Sequence, residues 1–103
     1  MQPKEQKLYV LIRSDLSEPY QAVQAGHAVA QYLIEHPDTS WKNGTLVYLA
    51  VRDEEELAFW GDKLTWRGVS WTGFREPDIG NEMTAIACVT NGNVFSKLSL
   101  VGK

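Results

Sequence analysis

Lys7-Leu8-Tyr9-Val10-Leu11-Ile12-Arg13 is the stretch whose reading decides the fold. Residues 8–12 are apolar without interruption, so the segment offers no polar face. Such a run fits a strand covered on both sides, as in a sheet with helices above and below. Working outward, Ser17 can cap a following helix, and Pro19 is tolerated in its first turn. That helix is predicted to run to about His36, where Pro37 helps to end it. Within it, Val23, His27, Ala30 and Ile34 form one stripe, and Ala22, Gly26, Val29 and Leu33 form the next. Together they predict one broad buried face. Ala22, Gly26 and Ala30, four apart, would let the backbone approach the sheet closely, and Gly26 is expected to resist enlargement. Gln21 and Gln24 project near the helix N-terminus, on or beside the edge of that face.

The rest of the chain extends the pattern. Asn43-Gly44 signals a turn, and residues 45–52 read as a second strand. Asp53 with Glu56 resembles a capping box for a helix over 53–67, with Gly68 as its stop. A third strand is expected at 69–74, weakened by Gly73, and a stronger fourth at 84–89. Asn91-Gly92 then turns into a short final segment, 94–101, of undefined type. This order predicts a polar tail at 1–6 and a small single α/β domain over 7–103. Its sheet would be four-stranded and mixed, three parallel strands plus one antiparallel, with helices on both faces.

Bulk properties narrow the function. One hundred and three residues make one domain with one modest core. A net charge of −3 gives no general field for nucleic acid, so any such binding needs a local basic patch. The single cysteine, Cys88, excludes an internal disulfide and suits a reducing compartment. No apolar run approaches the ~18 residues of a membrane span, and the polar start is not expected to act as a signal peptide. A cytoplasmic protein with no membrane contact is the expectation. Four tryptophans are many for this length. Trp60 and Trp66 flank Gly61 and cannot both face inward, so one is a candidate homodimer contact.

The chemistry gathers in two polar clusters. Phe74-Arg75-Glu76-Pro77-Asp78-Ile79-Gly80-Asn81-Glu82-Met83-Thr84-Ala85-Ile86-Ala87 carries three carboxylates, an amide and a hydroxyl into an apolar strand. Arg13-Ser14-Asp15 closes the first strand and leads into the helix with Gln24 and His27. The predicted topology brings both clusters to one edge, where open α/β sheets bind ligands. Glu76 and Asp78 can orient water on an ester carbonyl, or simply sit in a solvated turn. Asn81 and Thr84 can donate to an oxyanion, or satisfy the turn backbone. His27, mid-helix on the predicted apolar face, reads first as a hydrogen-bonded core residue. Asp15 reads as fixing its turn, and Arg13 and Arg75 can hold an RNA phosphate. The two histidines and Cys88 have no metal-ligand spacing.

These residues resemble a known family. The strand ending Arg13-Ser14-Asp15-Leu16, followed by Ala22-Val23-Gln24-Ala25-Gly26-His27-Ala28 on a helix, is similar to the type 2 peptidyl-tRNA hydrolases. Segment 74–90 occupies the place of that family's distal loop and final strand, with Thr84 matching best. The resemblance implies hydrolysis of the ester between tRNA and a peptide or other acyl group, without a metal or organic cofactor. It implies catalytic roles for Glu76, Asp78, Asn81 and Thr84. It implies substrate contacts at Arg13, Asp15, Tyr20, Gln24, His27 and Arg75, with acyl-tRNA as the partner. Two segments depart from the pattern. The lysine-rich approach to the helix is shortened to Ser17-Glu18-Pro19-Tyr20, with Tyr20 where a lysine would stand, and the distal loop is acidic. A non-catalytic binding module, or a hydrolase of a smaller acyl substrate, therefore stand as the alternatives.

Overall fold

The computed structural model describes residues 6–102; residues 1–5 of the expected tail lie outside them. The element order is β1 (Lys7–Arg13), α1 (Glu18–Glu35), β2 (Leu46–Val51), α2 (Glu54–Trp66), β3 (Trp71–Glu76) and β4 (Glu82–Thr90), with 3-10 turns at Pro77–Ile79 and Gly92–Phe95. Among the described residues no helix is long and apolar enough to cross a membrane.

The sheet order is β2-β1-β4-β3. β1 pairs parallel with β2 and antiparallel with β4, and β4 pairs antiparallel with β3. The expected set of three parallel strands is thus corrected to a single parallel pair. β3 points the same way as β1 and β2, but β4 lies between them. The physical reason is burial. Seven of the nine residues of β4 are buried, beginning at Met83, so it belongs inside the sheet with a ladder on each side.

Alternation along the strands builds one core on each face. Leu8, Val10, Ile12, Ala85 and Ala87 meet Ala25, Ala28, Tyr32 and Trp41 on the α1 side. Tyr9, Leu11, Leu49, Val51, Ile86 and Cys88 meet Leu57, Trp60, Leu64 and Phe95 on the α2 side. Each fully buried leucine or isoleucine contributes about 1.5–3 kcal/mol relative to exposure. Trp60 faces inward, whereas Trp66 is 90% exposed.

The predicted face of α1 is corrected. Its buried residues are Gln21, Gln24, Ala25, Ala28 and Tyr32. Val23, Leu33 and Ile34 are exposed. The close approach is made by Ala25 and Ala28 against Ala85 and Ala87, not by the Ala22, Gly26 and Ala30 stripe. A Cβ placed on Gly26 would meet nothing within 4 Å, so this glycine does not resist enlargement. Gly26→Ala is expected to stabilise the protein by about 0.5–1 kcal/mol, through helix propensity and a less flexible unfolded chain. Thermal unfolding checks this, with Tm rising by a few degrees.

β3 begins two residues later than expected because the end of α2 takes up the intervening chain. Gly68 has φ 75°, and Val69 N–H donates to Leu64 O at 2.9 Å, closing the helix. Glu76 consequently ends a strand and does not sit in the turn. The final segment adds a short antiparallel edge to β2: Ala50 N–H donates to Ser99 O, and Val101 N–H to Tyr48 O.

Candidate functional site

The carboxyl ends of β1 and β3, the start of β4 and the first turns of α1 meet at one edge. Between Phe74 and Arg75 the β3–β4 register shifts. Such bulges bend a strand and re-aim its side chains. Beyond it, Gly80 at φ 71° and Asn81 at φ 66° turn the chain, and Asn81 N–H donates to Glu76 O. The tight turn leaves Glu76 only 9% exposed and directed toward α1.

Gln24 joins the two halves. Its Nε2 donates to Glu76 Oε1 at 2.8 Å, and its Oε1 accepts from Thr84 Oγ1 at 2.6 Å. Both ends of the amide have partners, which fixes its orientation. Gln24 and Thr84 have no exposed surface. Glu76 Oε2 accepts from Asp78 N–H at 3.3 Å. The Gln24 hydrogen bond, then the Asp78 N–H, hold the Glu76 carboxyl below the usual glutamate range; burial opposes them, and the His27 charge and the Tyr20 hydroxyl add to them. The Tyr20 phenol is pushed up, first by burial and then by the Glu76 and Asp78 charges. His27 is exposed and stacks on the Phe74 ring at 4.5 Å. It is therefore not a core histidine. The helix face that carries it turns outward at the edge of α1 beside β3.

A second cluster stands next to the first. Arg13 is buried and grips Asp15 with two hydrogen bonds of 3.0 and 2.9 Å. Its Nη1 donates to Glu82 Oε1 at 2.7 Å and to Met83 O at 3.2 Å. Asp15 thus does more than fix its turn; with Glu82 it neutralises the guanidinium and ties β1 to β4. The same pairing holds the Asp15 carboxyl below its usual range. Arg13 has little capacity left for a phosphate. Arg75 is exposed, with Nη1 on Asn81 O at 3.3 Å, and remains accessible. Asp78 and Asn81 are exposed at the tip.

The structure therefore brings Tyr20, Gln24, His27, Glu76, Asp78 and Thr84 together, with Arg13 and Asp15 alongside. Sequence reasoning does not single out Phe74, the platform for His27, or Glu54, whose Oε2 accepts from Met83 N–H at 2.7 Å. The Glu54 bond pins the start of β4, and its only sequence signal is an acidic first turn on α2.

These pairs set a pH dependence. Glu76 and Asp15 have depressed folded-state values, so their stabilisation is present above the ordinary carboxylate range and lost as pH falls through it. Burial pushes the Cys88 thiol from 9.0 up to about 12. Its contribution is full below 9.0 and lost as pH rises toward that value. Denaturant midpoints are expected to plateau between about pH 5.5 and 8.5, falling on either side. A midpoint still rising as pH drops through 4 would contradict the pairing.

No family model matches this chain, and no curated protein is similar to it at a significant level. Among solved structures it is similar to a protein of unknown function from Agrobacterium tumefaciens, with a TM-score of 0.68. The match covers 92% of this chain and 96% of that one at 13% identity. At that identity the likeness concerns the fold alone.

Proposed function

We propose that this chain hydrolyses the ester between an acyl group and tRNA, peptidyl-tRNA being the substrate class its resemblance indicates. The observation that carries the reading is the Thr84–Gln24–Glu76 relay, which fixes an ionised carboxylate at the end of β3 against α1. In this mechanism Glu76 orients a water molecule and accepts its proton as the oxygen attacks the ester carbonyl. Its lowered pKa makes it a weak base but keeps it ionised throughout the neutral range. The exposed Asn81 amide stabilises the oxyanion, while the Tyr20 hydroxyl supports the Glu76 carboxylate. Collapse of the tetrahedral intermediate breaks the bond to the ribose oxygen, which takes the proton back from Glu76 and leaves as the hydroxyl. Thr84, with no exposed surface, acts through Gln24 as a positioning residue. Asp78 lends its backbone N–H to Glu76, while Arg75 and His27 line the approach.

One observation favours a second reading. Asp15, Glu54, Glu76, Asp78 and Glu82 face this edge, whereas Arg13 is already neutralised. That rim repels phosphate and suits a smaller, less anionic acyl substrate, or a cationic ligand on a binding module. Release of the acyl group from N-acetylaminoacyl-tRNA, measured against the same acyl group on adenosine, separates these readings. Faster release from tRNA supports the first and faster release from adenosine the smaller substrate. No turnover of either by folded protein supports the binding module.

A further inference from the structure

Helix α1 packs across β1, β4 and β3. It leaves the same face of β2 uncovered, and a cleft of about 640 Å³ opens there beside the first turns of α1. Ile12, Tyr48 and Ala50 are among its apolar lining, and the edge segment at Val101 borders it. This size is ordinary for a small-molecule site. The cleft is bordered by Gln21, whereas Glu76 is held by Gln24 further along the helix, and Glu76 is not among the cleft's lining residues.

Gln21 is the informative residue. It is 8% exposed, and its Nε2 donates to Leu16 O at 2.7 Å. That bond fixes the amide and leaves Oε1 as an acceptor with no partner among the described residues. Oε1 is not one of the sealed polar atoms of the described residues, so it can accept from a donor that enters the cleft. Glu18 adds a carboxylate at the rim, and none of the lining residues is cationic. The positive end of α1 lies nearby, but Glu18 sits in that first turn and opposes it.

We propose that this cleft binds a small molecule with an apolar body and a primary amine head, the body lying on Ile12, Tyr48 and Ala50. The ammonium donates to Gln21 Oε1 and pairs with Glu18. This site is separate from the Glu76 edge and does not depend on the hydrolase reading.

Amide-proton NMR titration of the full chain with phenethylamine tests it, against phenethyl alcohol and 3-phenylpropionate as matched neutral and anionic probes. The amine is expected to saturate with a Kd on the order of 1 mM or tighter, shifting Gln21, Ala22 and Ala50. The carboxylate should bind at least about tenfold more weakly. Glu18→Gln, at an exposed position that leaves the fold intact, should weaken the amine about threefold or more and leave the alcohol unchanged. Ala50→Phe should abolish all binding by filling the floor, and Glu76→Gln should change none of it. Equal affinity for the three probes, preference for the carboxylate, or no saturable shift in folded protein would each overturn the proposal.

Discussion

Replacing Glu76 by glutamine is expected to lower kcat for the proposed ester hydrolysis by about 10²–10⁴-fold, the usual contribution of a positioned general base. Glutamine keeps the shape and still offers an oxygen to Gln24 Nε2, so Tm should stay within about 5 °C of wild type. KM should change little, because the carboxylate acts on water and does not hold the substrate. Asp78→Asn is the informative comparison. Asp78 reaches Glu76 only through its backbone N–H, which the substitution retains, so activity should fall less than about tenfold. A larger loss at Asp78 than at Glu76 would transfer the base to the exposed carboxylate.

Gln24→Leu should be the most destabilising substitution at this edge. Leucine fills a similar volume but leaves the fully buried Thr84 hydroxyl with only Phe74 O at 3.4 Å, a long and weak contact. Breaking the buried pair is expected to lower stability by about 2–3 kcal/mol, which for a domain of this size lowers Tm by roughly 10 °C or more. Adding Thr84→Val removes the orphaned hydroxyl as well, so the double variant should recover part of that loss. Thermal unfolding of the four proteins measures the coupling. Strict additivity would mean that the two residues do not share a bond.

Much of the fold was legible for a simple reason. The apolar runs of β1 and β4 have no polar face to turn toward water, and Asp53 and Gly68 bracket α2 with standard cap chemistry. The Asp53 cap accepts from Glu56 N–H as expected, although Glu56 returns its bond to Arg52 N–H, one residue early. Ser17 sits at the expected cap of α1 without using its hydroxyl. The rotation of α1 was not legible. Gln21 and Gln24 look like surface amides and pull the predicted apolar face toward Val23 and Ile34. Gln24 is buried because its partners wait 52 and 60 residues away, a distance no local pattern reports. The same contacts make the site: the edge was predictable from topology, but the link between Gln24, Glu76 and Thr84 was not. The pairing of Arg13 with Glu82, which reduces its value as a phosphate anchor, was hidden for the same reason.

Carbon-13 NMR titration of the Glu76 side-chain carboxyl, in wild type and in Gln24→Leu, tests most directly whether this edge holds a fixed, ionised carboxylate. The relay predicts that Glu76 titrates below the usual glutamate range in wild type and moves upward in the variant, which lacks the strongest hydrogen bond to the charged form. A wild-type carboxyl that titrates at or above the ordinary value, with no response to Gln24→Leu, would contradict it and remove the basis for Glu76 as the water-orienting group.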